Sequence, residues 1–119
     1  MAGTKTVNTG LNALRDLWLT EGTHVGAGTG TTNPVAGDTA LETEVSEKAV
    51  SGTLSGATGV AVHKMRLLVS EGNGNDYSEV GLKDGASGTL LNRATFAPTT
   101  KDNTKELEFR LKTTLTDGS

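Results

Sequence analysis

Residues 106–115 read ELEFRLKTTL. Leu107, Phe109, Leu111 and Leu115 alternate with Glu106, Glu108, Arg110 and Lys112. That is a period of two, the signature of a strand with one face buried and one wet. A helix would scatter the same apolar positions around its circumference. A slip of one residue would bury the four charges, so the register is firm. This stretch therefore commits its end of the chain to a half-buried β-sheet.

Working back towards the N-terminus, the β-pattern continues. TLLNRATFA (89–97) places Leu90, Ala94 and Phe96 on one side and Arg93 and Thr95 on the other. DYSEVGLKD (76–84) reads as a strand of mixed character. GVAVHKMRLLVS (59–70) reads as a longer one, with Ala61, Met65, Leu67 and Val69 on one face and His63 among them. In KAVSGTLSG, beginning at Lys48, Val50 and Leu54 share one parity with Gly52 between them. The clusters SEGNGND and KDGASG supply positive φ at low cost and read as turns. PTTKDNTK is expected to be a polar connection before the last strand. His24–Ala27 is expected to form a short strand.

The N-terminal part differs. In VNTGLNALRDLWL (7–19), Val7, Leu11, Leu14 and Trp18 recur at steps of four, three and four. That spacing predicts an amphipathic helix with Trp18 as a packing anchor. Thr6 or Asn8 is expected to cap it, and Gly22 to stop it. Further on, Thr39 and Glu42 match a capping box, so 39–45 is read as a short helical turn or an irregular segment.

The expected fold is mainly β: a small antiparallel β-sandwich or open barrel, with one N-terminal amphipathic helix and five or six strands. The 119 residues make one domain, with the helix at about 7–19 and the β-rich part at 24–116. Aromatics are only 3% and the hydrophobic fraction is 34%, so the core is thrifty and help from a partner surface is expected.

Composition also limits function. The net charge is −3, with no basic run interleaved with aromatics, which argues against nucleic-acid binding. There are no cysteines, so thiolate metal sites and disulfides are excluded. No apolar run approaches the ~20 residues of a membrane-spanning helix, and MAGTKTVNTG lacks the apolar core of a signal peptide. A soluble chain that does not engage membrane is expected.

GTHVGAGTGTTNPVAGDTALETEV (22–45) has the look of a phosphate cradle, yet fails its tests. No Gly-Lys-Ser/Thr follows, and Gly26, Gly28 and Gly30 give Gly-x-Gly-x-Gly rather than Gly-x-Gly-x-x-Gly. Pro34 and Gly37 block a helix directly behind them. Its glycines are read as letting main chain run close to a neighbouring surface. His24 and His63 fit no hydrolase or zinc motif, and both are read as strand residues. Glu71, Asn73 and Asn75 resemble the start of a calcium loop, which fails at Asp76 and Leu82 and reads better as a hairpin turn. Glu42, Glu44 and Glu47 are read as a solvated acidic edge. No residue is singled out as catalytic, cofactor-binding or metal-ligating, and the expected reading is not an enzyme.

The segment GAGTGTTNPVAGDTALETEV resembles the pattern GTGTT-x-P-x-x-x-DTAL-x-x-E of small phage and prophage tail-fibre-like virion proteins. YSEVGLKDGASGTLLNRATFAP and the closing strand fit the same family. Lys83 stands where an aromatic or apolar residue is usual, and Asn92 where Ala is common, implying a wetter face or a different neighbour contact. The resemblance implies a structural component of a tailed virus, located in the virion and assembled in the host cytoplasm. Fibre, baseplate and tail-tip positions head the expectations. A capsid decoration or head-fibre protein, or a host-glycan-binding module using Trp18 or Tyr77, are the alternatives. The implied partners are copies of itself, trimers being frequent in fibres, other virion proteins and a host surface receptor. The glycine loop would then be an assembly segment lying against a partner strand.

Overall fold

The computed structural model describes residues 4–116. The element order is α1 (Asn8–Glu21), β1 (His24–Gly28), β2 (Glu44–Ala49), β3 (Gly52–Ser55), β4 (Val60–Leu67), β5 (Asn75–Lys83), β6 (Leu90–Lys101) and β7 (Leu107–Thr114). The strands form two antiparallel sheets, ordered β2-β1-β5-β6 and β3-β4-β7. The architecture is a sandwich with its two sheets separate, not an open barrel.

The last strand behaves as its alternation requires. Phe109 and Leu111 are buried, while Glu108, Arg110 and Lys112 are exposed. Phe109 faces Met65, and Leu111 faces His63, on β4. The core between the sheets joins Met65, Leu67, Phe109 and Leu111 to Val25, Ala27, Tyr77, Val80 and Leu82. Phe109 is its aromatic hinge. Its ring meets Tyr77 edge-on at 5.5 Å and Phe96 at 6.0 Å, geometries that add a fraction of a kcal/mol or more (about 0.5–1.5) to simple burial.

Two strand readings change. Residues 48–55 are not one strand. Val50 N donates to Thr23 O beside the first sheet, and Ser51 N donates to Lys64 O in the second. The chain therefore crosses between sheets at Val50–Ser51, which splits β2 from β3 and raises the strand count to seven among the described residues. Nor is Pro98–Lys101 a loose connection: it is the end of β6. Tyr77 pairs with Thr99 and Glu79 with Thr95, so Phe96–Pro98 stand opposite Ser78 alone. Pro98 sits in this bulge, where no ladder N–H is required of it. The same bulge switches parity along β5, so that Tyr77, Val80 and Leu82 all enter the core. Val69, expected on the β4 inner face, lies beyond the strand and is exposed.

The helix spans 8–21 rather than 7–19. Val7, not Thr6 or Asn8, is its N-cap, and no side chain caps it. Gly22 does end it. Its φ of −79° is ordinary, and its glycine is needed for space: a Cβ there would lie 2.6 Å from the Leu82 side chain. Leu11 is buried and Trp18 packs on the core, its indole N–H donating to Thr113 Oγ1 at 3.0 Å. Asn12 accepts from Gly59 N. Val7 and Leu14, expected on the same stripe, are exposed. Leu14 stands about 60° round the helix from the Leu11–Trp18 line, and Val7 precedes the first turn.

Candidate functional site

The first sheet is covered on both faces. On the outer face Gly26 of β1 pairs directly with Gly81 of β5, leaving a trough without side chains. Leu41 fills it. A Cβ on Gly81 would lie 2.8 Å from one Leu41 methyl, and a Cβ on Gly26 would lie 3.2 Å from the other. A Cβ on Gly28 would run into the Thr43 carbonyl. Segment 29–43 thus lies as a strap over β1 and β5, joined at its ends by Thr29 N donating to Thr43 O.

Under the strap sits a carboxylate with no exposed surface, that of Glu79. It accepts from the main-chain N–H groups of Gly30 (2.8 Å), Glu42 (2.9 Å) and Thr43 (2.7 Å), and from Arg93 Nε (3.0 Å). Burial alone would push this carboxyl up. The bonds from Thr43, Glu42, Arg93 and Gly30 outweigh it and hold the group below the usual carboxylate range. Arg93 reaches on to Asp38 Oδ2 (3.2 Å) and to the carbonyl of Thr32 (2.8 Å). Ser78 Oγ donates to Gly30 O at 2.7 Å. One acid–base pair therefore grips the strap at both limbs.

The acidic run is an exposed edge at Glu42 and Glu44 and half-buried at Glu47, as expected, but its carboxylates are bonded rather than free. Glu42 accepts from Thr31 N, Thr32 N and Thr32 Oγ1, and these bonds lower its pKa. Glu44 and Glu47 converge on Lys83 Nζ at 2.9 and 2.5 Å. Burial would depress the Lys83 ammonium, but the two carboxylates raise it instead. Lys83 is thus buried and bonded to β2 rather than set on a wetter face. Asn92 likewise makes specific bonds, accepting from Leu82 N and donating to Thr113 Oγ1 in the other sheet. The capping box at 39–42 starts no helix: Glu42 is turned back to the threonines, and β2 begins at Glu44.

The glycine-rich segment does bind an anion through a main-chain amide, and that anion is the chain's own Glu79. The surface that Gly26 and Gly28 admit is the strap itself. Sequence reasoning missed the Glu79–Arg93 pair because neither residue breaks the strand pattern. Both nonetheless lie inside the SEVGL and RATF segments, which is the signal that marked them.

The remaining candidates are structural in their contacts. Tyr77 is fully buried, its hydroxyl bonded to Ser46 and to Gly72 O, which leaves no ring face for a sugar. Glu71 accepts from Lys48 Nζ and Leu68 N, and Asn73 accepts from Lys101 Nζ, so these side chains tie the turn that carries positive φ at Gly72 and Gly74. His24 Nδ1 bonds Thr23 Oγ1. His63 is wholly buried, and neither ring nitrogen meets hydrogen-bond geometry, although the main chain of Trp18 and Leu19 is its nearest polar company. Burial pushes its imidazole down. Among the described residues no three His, Asp or Glu gather as metal ligands, and no helix is long and apolar enough to cross a membrane.

No protein-family model matches the chain, and no curated protein matches it.

Proposed function

We propose that this chain is a structural component of a tailed virus particle, tail-associated, acting by self-assembly and by docking to neighbouring virion proteins. One observation carries the reading. The residues that make the resemblance meet in a single lock: Gly30, Thr32, Asp38 and Leu41 from the first motif; Glu79, Gly81 and Arg93 from the second. Every polar side chain among them is spent on holding backbone or another side chain. Motif residues that carried chemistry would instead converge on open space. A scaffold whose recurrent residues fix a strap to a sheet fits a particle part, whose work is shape.

The test is location. Particles from a host carrying the gene are purified and labelled with gold-conjugated antibody against the chain. Label on tails is the expected result; label on heads would move the protein to the capsid. Particles free of label, with the chain left in the soluble lysate, would overturn the virion reading.

A further inference from the structure

β7 is the free edge of the second sheet, which has the order β3-β4-β7. Lys64 O and Val60 O bond towards β3, through Ser51 N and Gly56 N, whereas Gly59 O takes Leu115 N. Even-numbered residues of β4 therefore bond towards β3 and odd ones towards β7. In the antiparallel register Met65↔Phe109 and His63↔Leu111, the odd residues of β7 bond back to β4. The N–H and C=O groups of Glu108, Arg110 and Lys112 consequently point out of the edge. Such an edge is a template for another strand unless something discourages it.

We infer that β7 is an interface for a second copy of this chain, joined antiparallel, β7 to β7, about a two-fold axis at Phe109. The occupant is identified by charge. With Phe109 opposite its own copy, Glu108, already bonded to Arg66 and Arg110 of its own chain, faces Arg110 of the copy, and Glu106, one residue before β7, faces Lys112, each twice by symmetry. The inner row then matches Leu107 with Leu111. Moving the partner by two residues sets Glu108 against Glu108 or Arg110 against Arg110, so like charges penalise the neighbouring registers. The backbone groups brought together in the favoured register are those of Glu108 and Arg110, which face outward. Beside the edge, between β6 and β7, lies a cleft of about 410 Å³ lined in part by Phe96, Leu107 and Phe109. A partner strand laid along the edge would cover it, removing the half-buried surface of Phe96 and Leu107 from water. This pairing is independent of where in a particle the chain resides.

Sedimentation equilibrium of the full chain across a range of concentrations tests it, with circular dichroism to show that each variant is folded. The native chain is expected to dimerise. Glu106→Lys and Lys112→Glu should each weaken the dimer about tenfold or more, because each sets like charges opposite twice. The double exchange E106K/K112E should restore affinity to within about threefold. Both positions are exposed and outside the core, so folding is spared. A native chain that stays monomeric, or a dimer that ignores both single exchanges, overturns the inference.

Discussion

The two faces of the first sheet are held by opposite means. Its inner face contributes Val25, Ala27, Val80 and Leu82 to an apolar core that needs no direction beyond close fit. Its outer face, a few ångströms away across the same strands, carries Glu79 and Arg93 beneath a strap and Lys83 against Glu44 and Glu47 of β2, each bonded to named partners. The apolar side supplies the driving force for collapse. The charged side adds little net stability, because desolvating the pair offsets most of its attraction. What it adds is position: the strap must lie where the amides of Gly30, Glu42 and Thr43 meet one carboxylate.

The difference is broken most severely from the inside. Phe109→Asp places an unpaired charge against Tyr77 and Met65, and no cooperative unfolding transition should remain in urea. Glu108→Lys, one residue away on the wet face, should cost less than about 1 kcal/mol, since exposed ion pairs are worth little. Similar losses from both would remove the register on which the fold rests.

Breaking the outer face should cost less but more locally. Arg93→Met leaves Glu79 buried without its cation, and about 3–5 kcal/mol of stability should be lost in denaturant titration. Adding Glu79→Gln to it should recover part of that loss, because the stranded charge is gone. If the double variant is no better than the single one, charge pairing is not what matters there. Gly81→Ala should cost about 1–3 kcal/mol, by displacing Leu90 and lifting Leu41 from its trough.

Acid separates the faces again. Glu79 has a folded pKa below its unfolded value, so its contribution is complete above the ordinary Glu range near 4.5 and is lost as pH falls through the folded value. His63, on the inner face of β4, works from higher pH. Its folded pKa also lies below the ordinary 6.5, and a buried imidazole resists taking a proton. Stability is full above 6.5 and declines as pH falls from there towards the folded value, where the unfolded chain binds the extra proton. His63→Leu should flatten this upper limb in pH-dependent melting and leave the lower, carboxylate limb in place. A limb near pH 6 that survives the substitution would show that His63 is not its source.

The smallest effect belongs to the exposed helix face. Leu17→Ser should change stability by less than about 0.5 kcal/mol, as the side chain is 66% exposed.

What could be read in the sequence follows the same division. Alternation in 106–115 and the apolar steps of 7–19 announced strand, helix and much of the core, because burial of one face imposes a period. The seven-strand count was hidden where Val50–Ser51 changes sheets, since a corner leaves the alternation running while its partners change. The parity switch at Ser78 was equally silent. The lock was legible only as motif residues without a role. Glu79 and Arg93 look like the wet face of any strand, and only the strap makes them interior. Aperiodic coverage by a 15-residue segment leaves no trace in periodicity.

The central claim is that the strap is fixed to the sheet by the Glu79 carboxylate. Native-state hydrogen exchange of the Gly30, Glu42 and Thr43 amides measures that directly. They should be protected to nearly the degree of the β5 amides at Val80 and Leu82, opening only with the sheet. Exchange at the rate of open chain, while β5 stays protected, would contradict it.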